Sequence, residues 1–240
     1  MYKILASAVA SFSFFSISNA DVPSQIRVQQ LKTEIREIAN TQAEEDKATG
    51  TETRKKLDIL VNELALAYPE TPAAEQLSAL AGPWKQLWSD DRDGESDFGN
   101  PVKPDKKSIF QYISKDGWFY NTANAKIGGT IFNPLTFLRG KYTVNAKDFT
   151  IEFTKVSSRF NQLKPTESIS AIVEGVESGS VFTIGVPGGA KYPKGPVGAQ
   201  GTLRTVYIDN DFRLATGENL TFNKDETHLY ILDRADNLAQ

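Results

Sequence analysis

The 240-residue chain has no cysteine. That excludes disulfides, thiolate metal sites, cysteine nucleophiles and a lipidated N-terminal cysteine. It has one histidine, His228, which excludes the two- and three-histidine ligand sets of most catalytic zinc sites. Its only methionine is Met1. A net charge of −3 gives no basic footprint for nucleic acid. No apolar run reaches the roughly 20 residues that a membrane-spanning helix needs.

What remains is a chain with enough apolar residues for a real core, 40% against 24% charged. Its first segment has the form of a secretory signal. Lys3 supplies a charge, Ile4–Ile17 is apolar and uncharged, and Ser18-Asn19-Ala20 puts small residues before a cut between Ala20 and Asp21. The expected location is the periplasm or the exterior, which suits an exported chain without cysteine.

Residues 21–81 read as helical and residues 82–240 as β-structure. Val28, Leu31, Ile35 and Ile38 share one helical face after a candidate cap, Ser24. The polar stretch from Thr41 to Gly50 reads as a turn. A second stripe, Leu57, Leu60, Val61 and Leu64, lies on a helix expected from about Thr53 to Ala67 and stopped by Pro69. The two predict an antiparallel helical hairpin. Thr71-Pro72 predicts a third short helix with threonine as cap, ended by Gly82. Trp84 and Trp88 then fall on an expected strand.

From Ser108 onward the apolar period becomes two. Expected strands are Ile109–Ile113, Trp118–Asn121, Gly129–Phe132, the segment around Tyr142 and Val144, Phe149–Phe153, Ser170–Val173, Val181–Val186, Thr202–Ile208 and His228–Leu232. Turn residues such as Lys115-Asp116-Gly117 separate them. The pattern predicts an α+β fold, mainly β, in which a helical hairpin precedes an antiparallel, closed or nearly closed meander. The Gly/Pro-rich stretch Gly185–Gly201 is expected to cross one mouth of that barrel.

Motifs for chemistry fail on inspection. Ser89–Asn100 resembles a calcium loop around Gly94, but Ser89 and Asn100 stand where the first ligand and the bidentate glutamate belong. The frame Gly185–Tyr192 lacks the second glycine and the Ser/Thr of a phosphate loop, having Ala190 and Tyr192 there. No G-x-S-x-G elbow accompanies His228. Asp209, Asp211 and Asp233 are carboxylates that a glycosidase-type hydrolase would need in facing pairs, but their sequence context is turn and strand-end chemistry. No motif asks for a cofactor or a metal ion.

Leu80-Ala81-Gly82-Pro83-Trp84-Lys85-Gln86-Leu87-Trp88, following a leucine-rich helical start, and the late Tyr207-Ile208-Asp209-Asn210-Asp211-Phe212-Arg213-Leu214 together resemble the plastid lipid-associated protein/fibrillin (PAP/fibrillin) family. The resemblance runs from about Leu31 to Leu232. The G-x-W frame is also the first lipocalin signature. The resemblance implies a lipocalin-like barrel that binds a lipid or an isoprenoid/quinone-type compound, and the failed motifs point to a protein that is not an enzyme. Departures are Ala215-Thr216-Gly217 where the family usually has a further arginine-glycine, the polar insert Asn223–Thr227, and a secretory rather than plastid context.

On this reading the barrel interior is expected to hold Trp84, Trp88, Phe110, Tyr112, Trp118, Tyr120, Phe149, Phe153, Phe182 and Tyr207. Gly82, Trp84, Asp209, Arg213 and Arg234 are expected at the closure, with Arg213 or Arg234 stacked on Trp84. The expected partner is a small hydrophobic ligand, with contact to lipid surfaces as a further option and no nucleic acid. Two alternatives stand beside this: a structural or interaction protein that docks a partner through its helices, marked by the Leu57/Leu60/Leu64 stripe, or coats lipid surfaces with its barrel rim, and the carboxylate hydrolase.

Overall fold

A computed structural model describes residues 22–42, 47–69, 71–91, 102–127, 133–185, 196–221 and 226–240. The signal segment, most of the acidic loop after Asp91, the expected strand Gly129–Phe132, the heart of the Gly/Pro-rich stretch and most of the insert before Thr227 lie outside those residues.

Helix α1 (Gln25–Thr41) begins where Ser24 Oγ accepts from the Arg27 amide at 3.2 Å. Helix α2 (Lys47–Ala65) starts well before the expected Thr53, so Gly50 is a buried helical residue and not a turn. The helices run antiparallel: Arg27 near the start of α1 forms a two-pronged bond to Glu63 near the end of α2, at 2.6 and 2.7 Å. In α3 (Ala73–Leu80) the cap differs from expectation. Pro72 occupies the cap position and Thr71 bonds back to the Pro69 carbonyl.

The strands are β1 (Gly82–Ser89), β2 (Val102–Pro104), β3 (Phe110–Ile113), β4 (Trp118–Ile127), β5 (Leu135–Val144), β6 (Phe149–Arg159), β7 (Ile184–Gly185), β8 (Gln200–Ile208), β9 (Phe212–Asn219) and β10 (Thr227–Arg234). Eight of them, all antiparallel, close a ring in chain order: β1, β3, β4, β5, β6, β8, β9, β10 and back to β1. Short β2 and β7 extend β4 and β6. Ring closure leaves no free edge in this eight-strand path. The seam pairs Trp84 with Arg234 and Gln86 with Leu232.

One expected strand is a helix. Ser170–Val173 lies in α4 (Ile169–Ser178), capped by Ser168 Oγ on the Ala171 amide and ended by Gly179 at φ +77°. Ile169, Ile172, Val173 and Val176 fall on one helical face and pack on the barrel's outer wall. Of the expected strand Val181–Val186, only Ile184–Gly185 is a strand among the described residues.

Three clusters make the core. The hairpin stripe (Val28, Leu31, Ile35, Leu57, Val61, Leu64) packs on outward residues of the barrel, among them Trp88, Phe212, Leu214, Leu229 and Ile231. A second cluster fills the lower barrel, where Trp84, Phe119, Phe149, Ile151 and Leu232 meet Ala73 and Leu80 of α3. The third lies under α4 and contains Phe110, Tyr120, Leu135 and Phe137. The barrel wall is therefore apolar on both faces over much of its circumference.

Candidate functional site

Alternation along each strand sorts the wall residues. Across the ring, Trp84 pairs with Gln111, Gln111 with Asn121, Asn121 with Leu138, and Ile113 with Phe119. These side chains face inward. Their sequence neighbours Phe110, Tyr112, Tyr120 and Phe137 face outward, against or beside α4.

One end of the barrel is plugged by α3. Trp84 is fully buried there and its indole N–H donates to the Leu80 carbonyl at 2.7 Å. Arg234 stacks on the Trp84 ring at 3.8 Å, and Arg213 stands farther off at 6.0 Å. The Arg234 guanidinium also donates to the Ala79 and Ala81 carbonyls at the end of α3, where a cation complements the helix dipole. Gly82, at φ +107°, makes room: a Cβ there would meet Arg234 Nη1 at 3.0 Å.

Above this plug a cavity of about 350 Å³ occupies the barrel. Phe119, Leu138, Ile151, Phe153 and Leu203 form its apolar wall. Gln86, Gln111 and Asn121 form a polar wall, and Asp91, Gln200, Glu218 and His228 lie towards the strand ends. Near that rim the Tyr230 hydroxyl donates to Asp91 Oδ2 at 2.9 Å. Burial, helped by the charges of Asp91 and Asp90, pushes the Tyr230 phenol well above its usual range. His228 Nδ1 lies 3.8 Å from Asp90 Oδ1, which also accepts from the Leu229 amide at 2.7 Å. His228 is a buried wall residue of the cavity.

At the foot of the polar wall sits Arg213, 1% exposed. It donates from Nη1 to Gln111 Oε1 at 3.2 Å. Burial, with a smaller push from Arg234, brings its guanidinium down to about 9, so it is charged at neutral pH.

The ten expected interior residues divide sharply. Trp84, Phe149 and Phe153 face inward, and Phe153 lines the cavity. Trp88 and Tyr207 pack outside the wall in the hairpin cluster. Phe110 and Tyr120 are buried under α4, with Tyr112 and Trp118 at its margin, and Trp118 carries Arg139 on its ring at 3.4 Å. Phe182 follows α4 and is 71% exposed. These seven are corrected to the outside. Helices cover the outer wall, so the largest apolar side chains on β3 and β4 are drawn there, and the interior keeps a polar stripe. Phe119, Gln111, Asn121, Leu138 and Tyr230 were missed as a result. The period of two in any strand was the available signal: it puts Phe119 and Asn121 on one face and Tyr120 on the other without saying which is inside.

The expected closure residues are spread over two places. Gly82, Trp84, Arg213 and Arg234 gather near the seam, whereas Asp209 lies on the outside. Lys32 of α1, 2% exposed, donates to Asp209 at 2.7 Å and to Asp211 at 2.5 Å. Arg36 donates to Asp211 at 3.0 Å and to Asp233 at 2.8 Å. The carboxylates considered for hydrolysis thus dock α1 onto the barrel. Burial works against ionisation of Asp211, but the hydrogen bonds from Lys32 and Arg36 outweigh it and hold its carboxyl well below the usual range. Burial pushes Asp233 up, against the pull of Arg36.

These features define a class: a helix-clad, lipocalin-like, up-and-down β-barrel, plugged at one end and hollow in its upper part. The PAP_fibrillin family model matches residues 29–222, most of the chain, and the protein belongs to that family. No curated protein matches the sequence.

Proposed function

We propose that this protein is an exported, non-catalytic binding protein that holds one lipid or isoprenoid/quinone-type molecule in its barrel. The observation that carries the reading is the cavity of about 350 Å³ between Phe119, Leu138, Ile151, Phe153 and Leu203. That size falls at the small end of ligand pockets, about 300–1,000 Å³, and favours one chain or ring system over a two-chain lipid. Membership of a lipid-associated family supports the same reading. The signal-like segment ending at Ala20 supports export to the periplasm or the exterior.

The docking alternative loses its chief support, because Leu57 and Leu64 are fully buried against the barrel. The hydrolase loses its candidates, since Asp209, Asp211 and Asp233 are occupied by Lys32 and Arg36 outside the cavity.

The test is native purification followed by mass spectrometry of the organic extract, alongside a Leu138→Trp variant that fills the cavity. An apolar molecule bound to the natural protein and absent from the variant is expected. A protein that neither brings a ligand nor takes up added lipids or quinones overturns the reading. N-terminal sequencing of the purified protein should start at Asp21, and a chain starting at Met1 sinks the export proposal.

A further inference from the structure

Arg213 is a buried charge without a counter-charge among the described residues. It is 1% exposed and makes no ion pair with any carboxylate among the described residues. Its Nε has no hydrogen-bond partner there, and the charge that acts on it most strongly is another cation, Arg234. A buried charge is ordinarily paired. The stacking role on Trp84 is already taken by Arg234, which lies at 3.8 Å against 6.0 Å for Arg213.

What Arg213 does touch is the cavity wall. Its side chain donates to Gln111 Oε1. That commits the amide oxygen of Gln111 to Arg213 and leaves the amide N–H groups for the cavity that Gln111 lines. Directly across the β3–β4 ladder, Asn121 also lines the cavity, and its Oδ1 is buried with no partner among the described residues. The opposite end has the other sign: Asp91 and Glu218 stand towards the strand ends. The cavity therefore runs from a positive, donor-rich foot, past an apolar wall, to an acidic rim.

We propose that this cavity takes a single-chain carboxylic acid head first, its carboxylate received by the Gln111 amide and balanced by Arg213. Asn121 Oδ1 offers an acceptor to a hydroxyl on the ligand. The acyl or prenyl chain lies along Phe119, Leu138, Ile151 and Phe153. The acidic rim disfavours the reverse orientation. This assignment rests on the reading that the cavity binds lipid, and it names the head group and the direction.

The test uses the delipidated, purified protein and two matched fluorescent probes, cis-parinaric acid and its methyl ester, titrated at pH 7.5. The ester keeps the chain and removes the charge. The natural protein is expected to favour the acid by about 10- to 100-fold, the ratio that a hydrogen bond to a charged group supplies. In Arg213→Met the ratio of acid to ester affinity should fall to near one. Gln111→Glu places a carboxylate beside Arg213 within the protein and should also abolish the preference, so the comparison survives if Arg213→Met does not fold. Equal binding of acid and ester by the natural protein, or a preference that persists in the folded variants, overturns the head-first carboxylate while leaving lipid binding intact. Failure of both probes to bind overturns this inference, and the broader lipid-binding reading falls with it only if added lipids and quinones are refused as well.

Discussion

Arg234 does two things with one side chain. It covers the face of Trp84 and it caps the last carbonyls of α3, so it joins the plug to the seam. Arg234→Lys keeps the charge but loses the planar fork and the stacking. It should cost about 2–3 kcal/mol in urea unfolding, the sum expected of a stacked cation and a charge-assisted bond; a cost near zero would mean that the stack contributes nothing. Gly82→Ala should cost about 1–3 kcal/mol, because a Cβ at φ +107° is strained and presses on Arg234. The pairing of a late arginine with Trp84 was legible from the G-x-W frame, and geometry chooses Arg234 over Arg213. The interior was less legible. Tyr112 and Tyr120 are larger and more apolar than Gln111 and Asn121, so composition favours the wrong face of β3 and β4. Only the helix over that face, α4, explains why, and α4 itself was hidden.

Among elements, α1 is fixed to the barrel by charge as well as by its stripe. Lys32→Met removes the cation shared by Asp209 and Asp211 and should lower stability by about 1–3 kcal/mol, a buried-pair cost reduced by the exposure of the carboxylates. The pH dependence follows from the two directions of shift. Asp211 is held low, so its contribution is present above about pH 4 and is lost as pH falls through its folded value. Asp233 is held high, so it costs stability while ionised and that cost is relieved on acidification. Urea midpoints from pH 7 to pH 2 should therefore change little at first and then fall below about pH 4. Lys32→Met should bring that fall to higher pH, and an unchanged acid limb would show that the network contributes no linkage. The helices α1 and α2 were readable because their stripes are long and regular. The expected strand Ser170–Val173 is short and ends in the β-branched pair Ile172-Val173, which suits a strand; Ser168 before it and Gly179 after it were the helical signals. Strand β9 was not anticipated, since its inward positions, Arg213, Ala215 and Gly217, are not those of an ordinary half-buried strand.

For the whole molecule, the hairpin and the barrel share one core cluster, so they should unfold together. Leu57→Ala, far from the cavity, should cost about 2–5 kcal/mol and lower the unfolding midpoint seen by tryptophan fluorescence and by circular dichroism alike. Two separate transitions would show that the helices fold apart from the barrel. The exposed Phe182→Ala should stay within about 0.5 kcal/mol of the natural protein. The general plan, helices first and then an antiparallel meander, was legible because period and order are properties of the chain. Closure was expected from the same meander, but the register of its seam was not legible, because it depends on a pairing between strands at opposite ends of the barrel sequence. That pairing has a consequence for synthesis. Trp84 is made early, yet its strand neighbour at the seam is Arg234, in the last strand of the ring. A nascent chain thus holds an open sheet with two raw edges until β10 has been made. A stop codon anywhere before Thr227 leaves it in that state, as a template for strand addition rather than a shorter container.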